Sequence, residues 1–151
     1  MTADRIEKEI VISAPVERVW AVLTEPELVT GWFSGGSPAR IDLRPGGIMW
    51  LDHGAAGTFP ARIERVEPPR FFSYRWASAY PGEEATDGNS TLVEFTLQPE
   101  GGGTRLRLAE TGFASLVIPP EREPFSSRES HSAGWAEKVV ELARFAEKPA
   151  A

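Results

Sequence analysis

The most constraining feature of this chain is a change of period along its length. Residues 39–113 fall into six segments in which apolar and polar side chains alternate: ARIDL (39–43), GIMWLDH (47–53), FPARIERV (59–66), FFSYRWA (71–77), TLVEFTL (91–97) and TRLRLAETGF (104–113). Alternation of this kind predicts half-buried strands. The turns RPGG (44–47), EPPR (67–70) and PEGGG (99–103) are short enough to join neighbours antiparallel, so the segments read as a meander. Upstream, IEKEIVI (6–12) adds a strand with Ile6, Ile10 and Ile12 on one face.

Outside the meander the period lengthens. In SAPVERVWAVLTEPEL, Val16, Val19, Trp20 and Leu23 form a helical stripe with Pro15 in the first turn. Pro26 interrupts it, and Leu28, Trp32 and Phe33 continue an apolar face, predicting a second short helix before the glycines at 35–36. In HSAGWAEKVVELARFAEK (131–148), Trp135, Val139, Leu142 and Ala146 make a stripe with Phe145 at its edge, while Glu137, Lys138, Glu141 and Arg144 turn to water. One face of the sheet is the only apolar surface wide enough to cover that helix, which makes the fold α+β. Segments 79–90 and 114–130 read as loops, the second long enough for a functional loop or lid.

At 151 residues the chain suits a single domain spanning 1–151. It has no cysteine, which removes thiol nucleophiles, thiolate metal sites and disulfides, and points to a reducing, cytoplasmic setting. No segment has the length or hydropathy of a signal peptide or membrane span, so no membrane association is expected. With a formal charge of −6 and scattered basic residues, no nucleic-acid partner is expected.

Five phrases, EIVISAPVERVWAVLTEPELVTGWF (9–33), DLRPGGIMW (42–50), RIERVEPPRFFSYRW (62–76), TLVEFTLQPEGGGTRLRLAETGF (91–113) and HSAGWAEKVVELARF (131–145), occur in an order and at separations that resemble the START-like (SRPBCC, helix-grip) superfamily. Within it they resemble the AHSA-type branch, the bacterial homologues of the activator of the heat-shock-protein-90 ATPase. The resemblance implies a seven-stranded antiparallel sheet wrapped around a long C-terminal helix, with two short helices after the first strand. It also implies a deep cavity for apolar or amphipathic small molecules. Relatives include lipid carriers, polyketide aromatase/cyclases, an antibiotic self-resistance protein and the cochaperone domain, so the fold leaves the chemistry open.

Among candidate residues, Glu110 follows Leu106 and Leu108 in the alternation and is expected to face inward, unless the strand ends or bulges and leaves it at the rim. An inward carboxylate would bind a polar group of a ligand, act as a general acid or base with a raised pKa, or pair with a buried arginine. His131, near the head of the last helix, reads either as an acid or base or as a side chain bonding the loop backbone. Trp135 is expected to pack in the core at one end of the interior. Phe72, Tyr74 and Trp76 share one strand face and, with Trp50, Phe95, Leu106 and Leu108, are expected to line the cavity. Asp52 and His53 point to opposite faces, and periodicity does not say which is inside.

Two histidines without cysteine or ligand-like spacing give no expectation of a metal, and no cofactor is implied. The glycine clusters FSGGS and EGGGT are turns rather than phosphate loops, and Ser126, Ser127 and Ser130 lack a nucleophile elbow. The leading expectation is therefore binding of a small apolar or aromatic molecule in an internal cavity. The alternatives are a cyclase- or hydrolase-type enzyme using Glu110, Tyr74 or His131, and a chaperone partner that activates a heat-shock ATPase. Phe71 and Val66, read as outer-face apolar residues, offer a surface for a homodimer.

Overall fold

A computed structural model of the chain describes residues 5–30, 32, 40–52, 58–86, 88–122 and 126–148. Its strands are β1 (Arg5–Ile12), β2 (Arg40–Ile41), β3 (Ile48–Asp52), β4 (Thr58–Glu67), β5 (Phe71–Trp76), β6 (Thr91–Glu100) and β7 (Gly103–Thr111). The helices are α1 (Val16–Thr24), α2 (Pro26–Thr30) and α3 (Arg128–Glu147). All strand pairs are antiparallel in one sheet of order β1-β7-β6-β5-β4-β3-β2. Strands β2 to β7 form the expected meander, and β1 closes it by pairing with β7, with Ile6 opposite Glu110, Ile10 opposite Leu106 and Ile12 opposite Thr104.

Alternation decides which face is buried. Phe72, Tyr74 and Trp76 on β5, Phe95 on β6, and Leu106, Leu108 and Glu110 on β7 all turn inward and are buried. Arg62 and Arg75 on the other face share Glu64, and Arg105 reaches Glu9 and Glu100. These partly exposed surface pairs contribute little each, whereas burying a large apolar side chain stabilises the fold by roughly 1.5–3 kcal/mol. Against the inner face lies α3, whose Trp135, Val139, Leu142, Ala143 and Ala146 are buried, and it runs alongside β1.

Both ends of α3 are tied down. Ser127 caps its N-terminus by accepting a bond from the Ser130 amide at 3.1 Å, so the helix starts three residues ahead of the stretch read from the sequence and His131 sits a turn inside it. At the other end the Arg18 guanidinium of α1 donates to the carbonyls of Phe145 and Ala146, both at 3.3 Å, and the Ser13 amide donates to Glu147 at 2.8 Å. A cation there satisfies the last carbonyls and the negative end of the helix dipole.

Three local expectations are revised. Of the segment 39–43, the described residues 40–43 give only the two-residue β2, because the chain folds back at once: the Arg44 amide donates to the Asp42 carbonyl, and Gly47 approaches the same carbonyl so closely that a Cβ would lie 2.1 Å from it. The last strand ends at Thr111, where Gly112 at φ +105° turns the chain into a short 3-10 turn, Phe113–Ser115. Val66 is not an outer-face residue beside Phe71. A register shift between Ile63 and Arg65 sets Val66 opposite Phe72, partly buried against the core, while Phe71 lies under the Arg65 guanidinium. Among the described residues no helix is long and apolar enough to cross a membrane. His53 and the FSGGS turn at 33–37 lie outside the described residues.

Candidate functional site

The inward face of β7 carries one charged residue, Glu110, and it is fully buried. Three elements converge on it. From β5, the Trp76 indole N–H donates to Oε2 at 2.9 Å, and from the facing end of β6 the Thr91 hydroxyl donates to the same oxygen at 2.5 Å. Trp76 and Thr91 are cross-strand partners, which explains why both arrive at the same end of the sheet. From α3, the Trp135 indole N–H donates to Oε1 at 2.8 Å, and Nδ1 of His131 lies 2.9 Å from both oxygens. His131 and Trp135 are four residues apart, so they stand one above the other on one helix face.

The electrostatics follow from this set of partners. Burial alone would push the Glu110 carboxyl up, but attraction to His131 and hydrogen bonds from His131, Thr91 and Trp135 outweigh it and hold the pKa below the ordinary carboxylate value. Glu110 is therefore not the unpaired carboxylate with a raised pKa that the strand pattern alone suggests. An ionised carboxylate only accepts, so Nδ1 of His131 carries a proton and donates it to Glu110. The other ring nitrogen, Nε2, is buried and has no hydrogen-bond partner. The imidazole is held between aromatic rings, stacked on Trp76 with centroids 5.0 Å apart and meeting Phe113 edge-on at 5.2 Å. Gly112 makes the second contact possible, because its left-handed backbone turns Phe113 back over the helix.

Of the residues singled out from sequence, Phe72, Tyr74, Trp76, Phe95, Leu106, Leu108, Glu110, His131 and Trp135 share the buried interior. Tyr74 is a neutral phenol there, because burial and then the negative charge of Glu110 raise its pKa well above the usual value. Trp50 does not join them. Met49 and Leu51 take the inward positions of β3, and Trp50 lies half-buried on the opposite face under the Arg40 guanidinium, 5.2 Å from its ring centroid.

A space bordered by Leu23, Val29, Trp32, Met49, Leu51, Phe72, Tyr74 and Phe95 measures about 10 Å³, room for one water rather than for an organic ligand. Sequence reasoning missed the convergence on Glu110. It weighed Glu110 and His131 separately and did not nominate Thr91 at all. The available signal was shared parity: Trp76, Thr91 and Glu110 all lie at strand ends and face inward.

A second polar knot lies beyond the end of β5. The Ser78 carbonyl accepts from the Ser126 hydroxyl at 2.8 Å and from the Arg122 guanidinium at 2.9 Å, which ties the long 112–127 connection to the sheet. The Ser78 hydroxyl is itself buried without a partner. Among the described residues no three histidine or acidic side chains come together as a metal-binding group.

A seven-stranded antiparallel sheet gripping a C-terminal helix, with two short helices after the first strand, defines a helix-grip protein of the START-like class. The chain belongs to the family described as activator of Hsp90 ATPase homolog 1-like protein, whose pattern matches residues 13–147. Among solved structures it is similar to protein MLL2253 from Mesorhizobium loti, with 24% identity, a TM-score of 0.71, and coverage of 97% of this chain and 99% of that one. It is similar to CalU16 from Micromonospora echinospora, with 27% identity, a TM-score of 0.67, and coverage of 95% and 76%. The Aha1 dimer from Colwellia psychrerythraea shares the fold at 16% identity, with a TM-score of 0.74 and 97% coverage of both chains. No curated protein matches the chain.

Proposed function

We propose that this protein binds a small apolar or aromatic molecule between the sheet and α3, at the end of the interior occupied by Trp76, Phe113 and His131. One observation carries this reading. A buried, unpartnered imidazole nitrogen whose other nitrogen is anchored to a fully bonded carboxylate is a polar group kept ready for something the chain itself does not supply. Leaving such an atom without a bond costs about 1–3 kcal/mol, and a fold retains that cost most readily where a ligand relieves it. The aromatic walls suit a flat or apolar body.

The same geometry favours a second reading, an enzyme in which His131 moves a proton and Glu110 orients it, since a base held by a carboxylate is the recurring acid–base arrangement. Tyr74, with its raised pKa, has no role as a base in that scheme. The heat-shock ATPase reading rests on the family description and on no group in this site. A homodimer is supported by the dimeric Colwellia relative, and light scattering of the purified protein tests it.

Native mass spectrometry of freshly purified protein, followed by titration with apolar fluorescent probes, tests the binding reading. A retained small molecule, or a probe binding with a stoichiometry near one, supports it. A bare protein that binds no probe removes it. Recovery of a chemically altered ligand moves the assignment to the enzyme.

A further inference from the structure

The outer face of the sheet carries a hollow, on the side away from Glu110 and His131. It measures about 610 Å³ and is bordered by Glu9, Phe71, Glu94, Thr96, Arg107 and Ala109. A space of that size accommodates a small organic molecule. The strand register explains its shape. Glu94 on β6 stands between Ser73 on β5 and Ala109 on β7, two short side chains, so the surface dips on both sides of the carboxylate. Phe71 and Arg107 flank Thr96 in the next row and rise as walls.

The neighbouring charges are answered within this face. Arg5 bonds Glu7, Arg105 bonds Glu9, Arg107 lies 3.4 Å from Glu9, and Arg75 lies 3.6 Å from Glu64. Arg75 and Arg107 are the arginines diagonal to Glu94, and both reach other acids. Lys8 touches the border from β1, but it shares the parity of Ile6 and Ile12, which turns its side chain to the other face. Among the described residues Glu94 has no ion pair or hydrogen-bond partner. The hollow thus keeps an unanswered negative charge.

That charge selects the ligand. An anion would be repelled by the carboxylate, and a neutral group would leave it unpaired. A hard metal ion asks for about six oxygen ligands, and no three acidic or histidine side chains come together among the described residues. A primary ammonium carries three donors, enough to serve the Glu94 carboxylate and the Thr96 hydroxyl, which lie two residues apart on one face of β6. We propose that this hollow binds a protonated primary amine with an apolar body, its ammonium group bonded to Glu94 and Thr96 and its body laid across Ala109 against Phe71. The site is separate from the interior, and the proposal does not depend on the binding reading above.

The test titrates nitrogen-15-labelled protein, at neutral pH and fixed low salt, with 2-phenylethylamine, 2-phenylethanol and 3-phenylpropionate, which share a body and differ in head group. The amine alone is expected to give saturable shifts of the Glu94, Thr96 and Ala109 backbone amides. Glu94→Gln should weaken that binding about fivefold or more. Glu83→Gln, which removes an exposed acid outside the hollow, should leave it unchanged and so separates a site from general attraction to an acidic chain. If Glu94→Gln does not fold, the selectivity of the wild-type protein among the three probes still decides the matter. Equal responses to the three probes, no saturable shift with the amine, or undiminished binding by Glu94→Gln would each overturn the proposal. Shifts confined to Trp76, Phe113 and their neighbours would overturn it too, while supporting binding in the interior.

Discussion

Replacing Glu110 by Gln separates a structural carboxylate from a merely tolerated one, and the geometry fixes the sign. Glutamine keeps the shape but converts one of the two acceptor oxygens into an NH2 donor. With the amide nitrogen in the place of Oε2, the Trp76 N–H faces a donor; with the amide turned over, the Trp135 N–H does. Thr91 can rotate its hydroxyl to accept, but an indole cannot. Either orientation therefore leaves one buried indole N–H unsatisfied, at about 1–3 kcal/mol, and weakens the charge-assisted bond to His131. The expected loss is on the order of 2–4 kcal/mol of folding stability, a fall in Tm of roughly 5–15 °C for a chain of this size. Urea unfolding followed by tryptophan fluorescence and by far-ultraviolet circular dichroism measures it, with the midpoint falling and the slope unchanged. A variant as stable as wild type, or more stable, would refute the claim that the bonds to Glu110 outweigh the cost of burying its charge.

Two further outcomes follow from the same site. Because the folded pKa of Glu110 is depressed, its contribution is fully present above the unfolded value of roughly 4.3 and is lost as pH falls through the lower folded value. The stability gap between wild type and Glu110→Gln should therefore narrow below about pH 4, and a pH series of urea midpoints with a constant gap would contradict this. Trp135→Phe keeps most of the packing but removes the N–H that donates to Oε1, and should cost about 1–2 kcal/mol, read from the urea midpoint, where an unchanged midpoint would show that bond to be dispensable.

The architecture was largely legible in the sequence because it depends on period. Leu106 and Leu108 alternate with Arg105 and Arg107, and Trp135, Val139, Leu142 and Ala146 recur at helical spacing, so the faces of β7 and α3 follow without knowledge of their partners. The site was legible only in pieces. Parity placed Glu110 inside, but its ionisation depends on donors from β5, β6 and α3 that lie 19 to 34 residues away along the chain. Periodicity carries no information about such distant meetings. Trp50 was misread for a related reason: both faces of GIMWLDH are about equally apolar, and only pairing with β4 sends Met49 and Leu51 inward. Val66 was displaced by a bulge, which alternation cannot anticipate.

The central claim is that Glu110 fixes the His131 ring with its proton on Nδ1 and leaves Nε2 as the group offered to a ligand. Long-range proton–nitrogen NMR of the ligand-free protein at neutral pH measures this directly, with His53 as the internal comparison. The account predicts a His131 Nδ1–H that exchanges slowly with water and is lost or strongly shifted in Glu110→Gln. A His131 ring protonated at Nε2 alone, with a bare Nδ1, would contradict it.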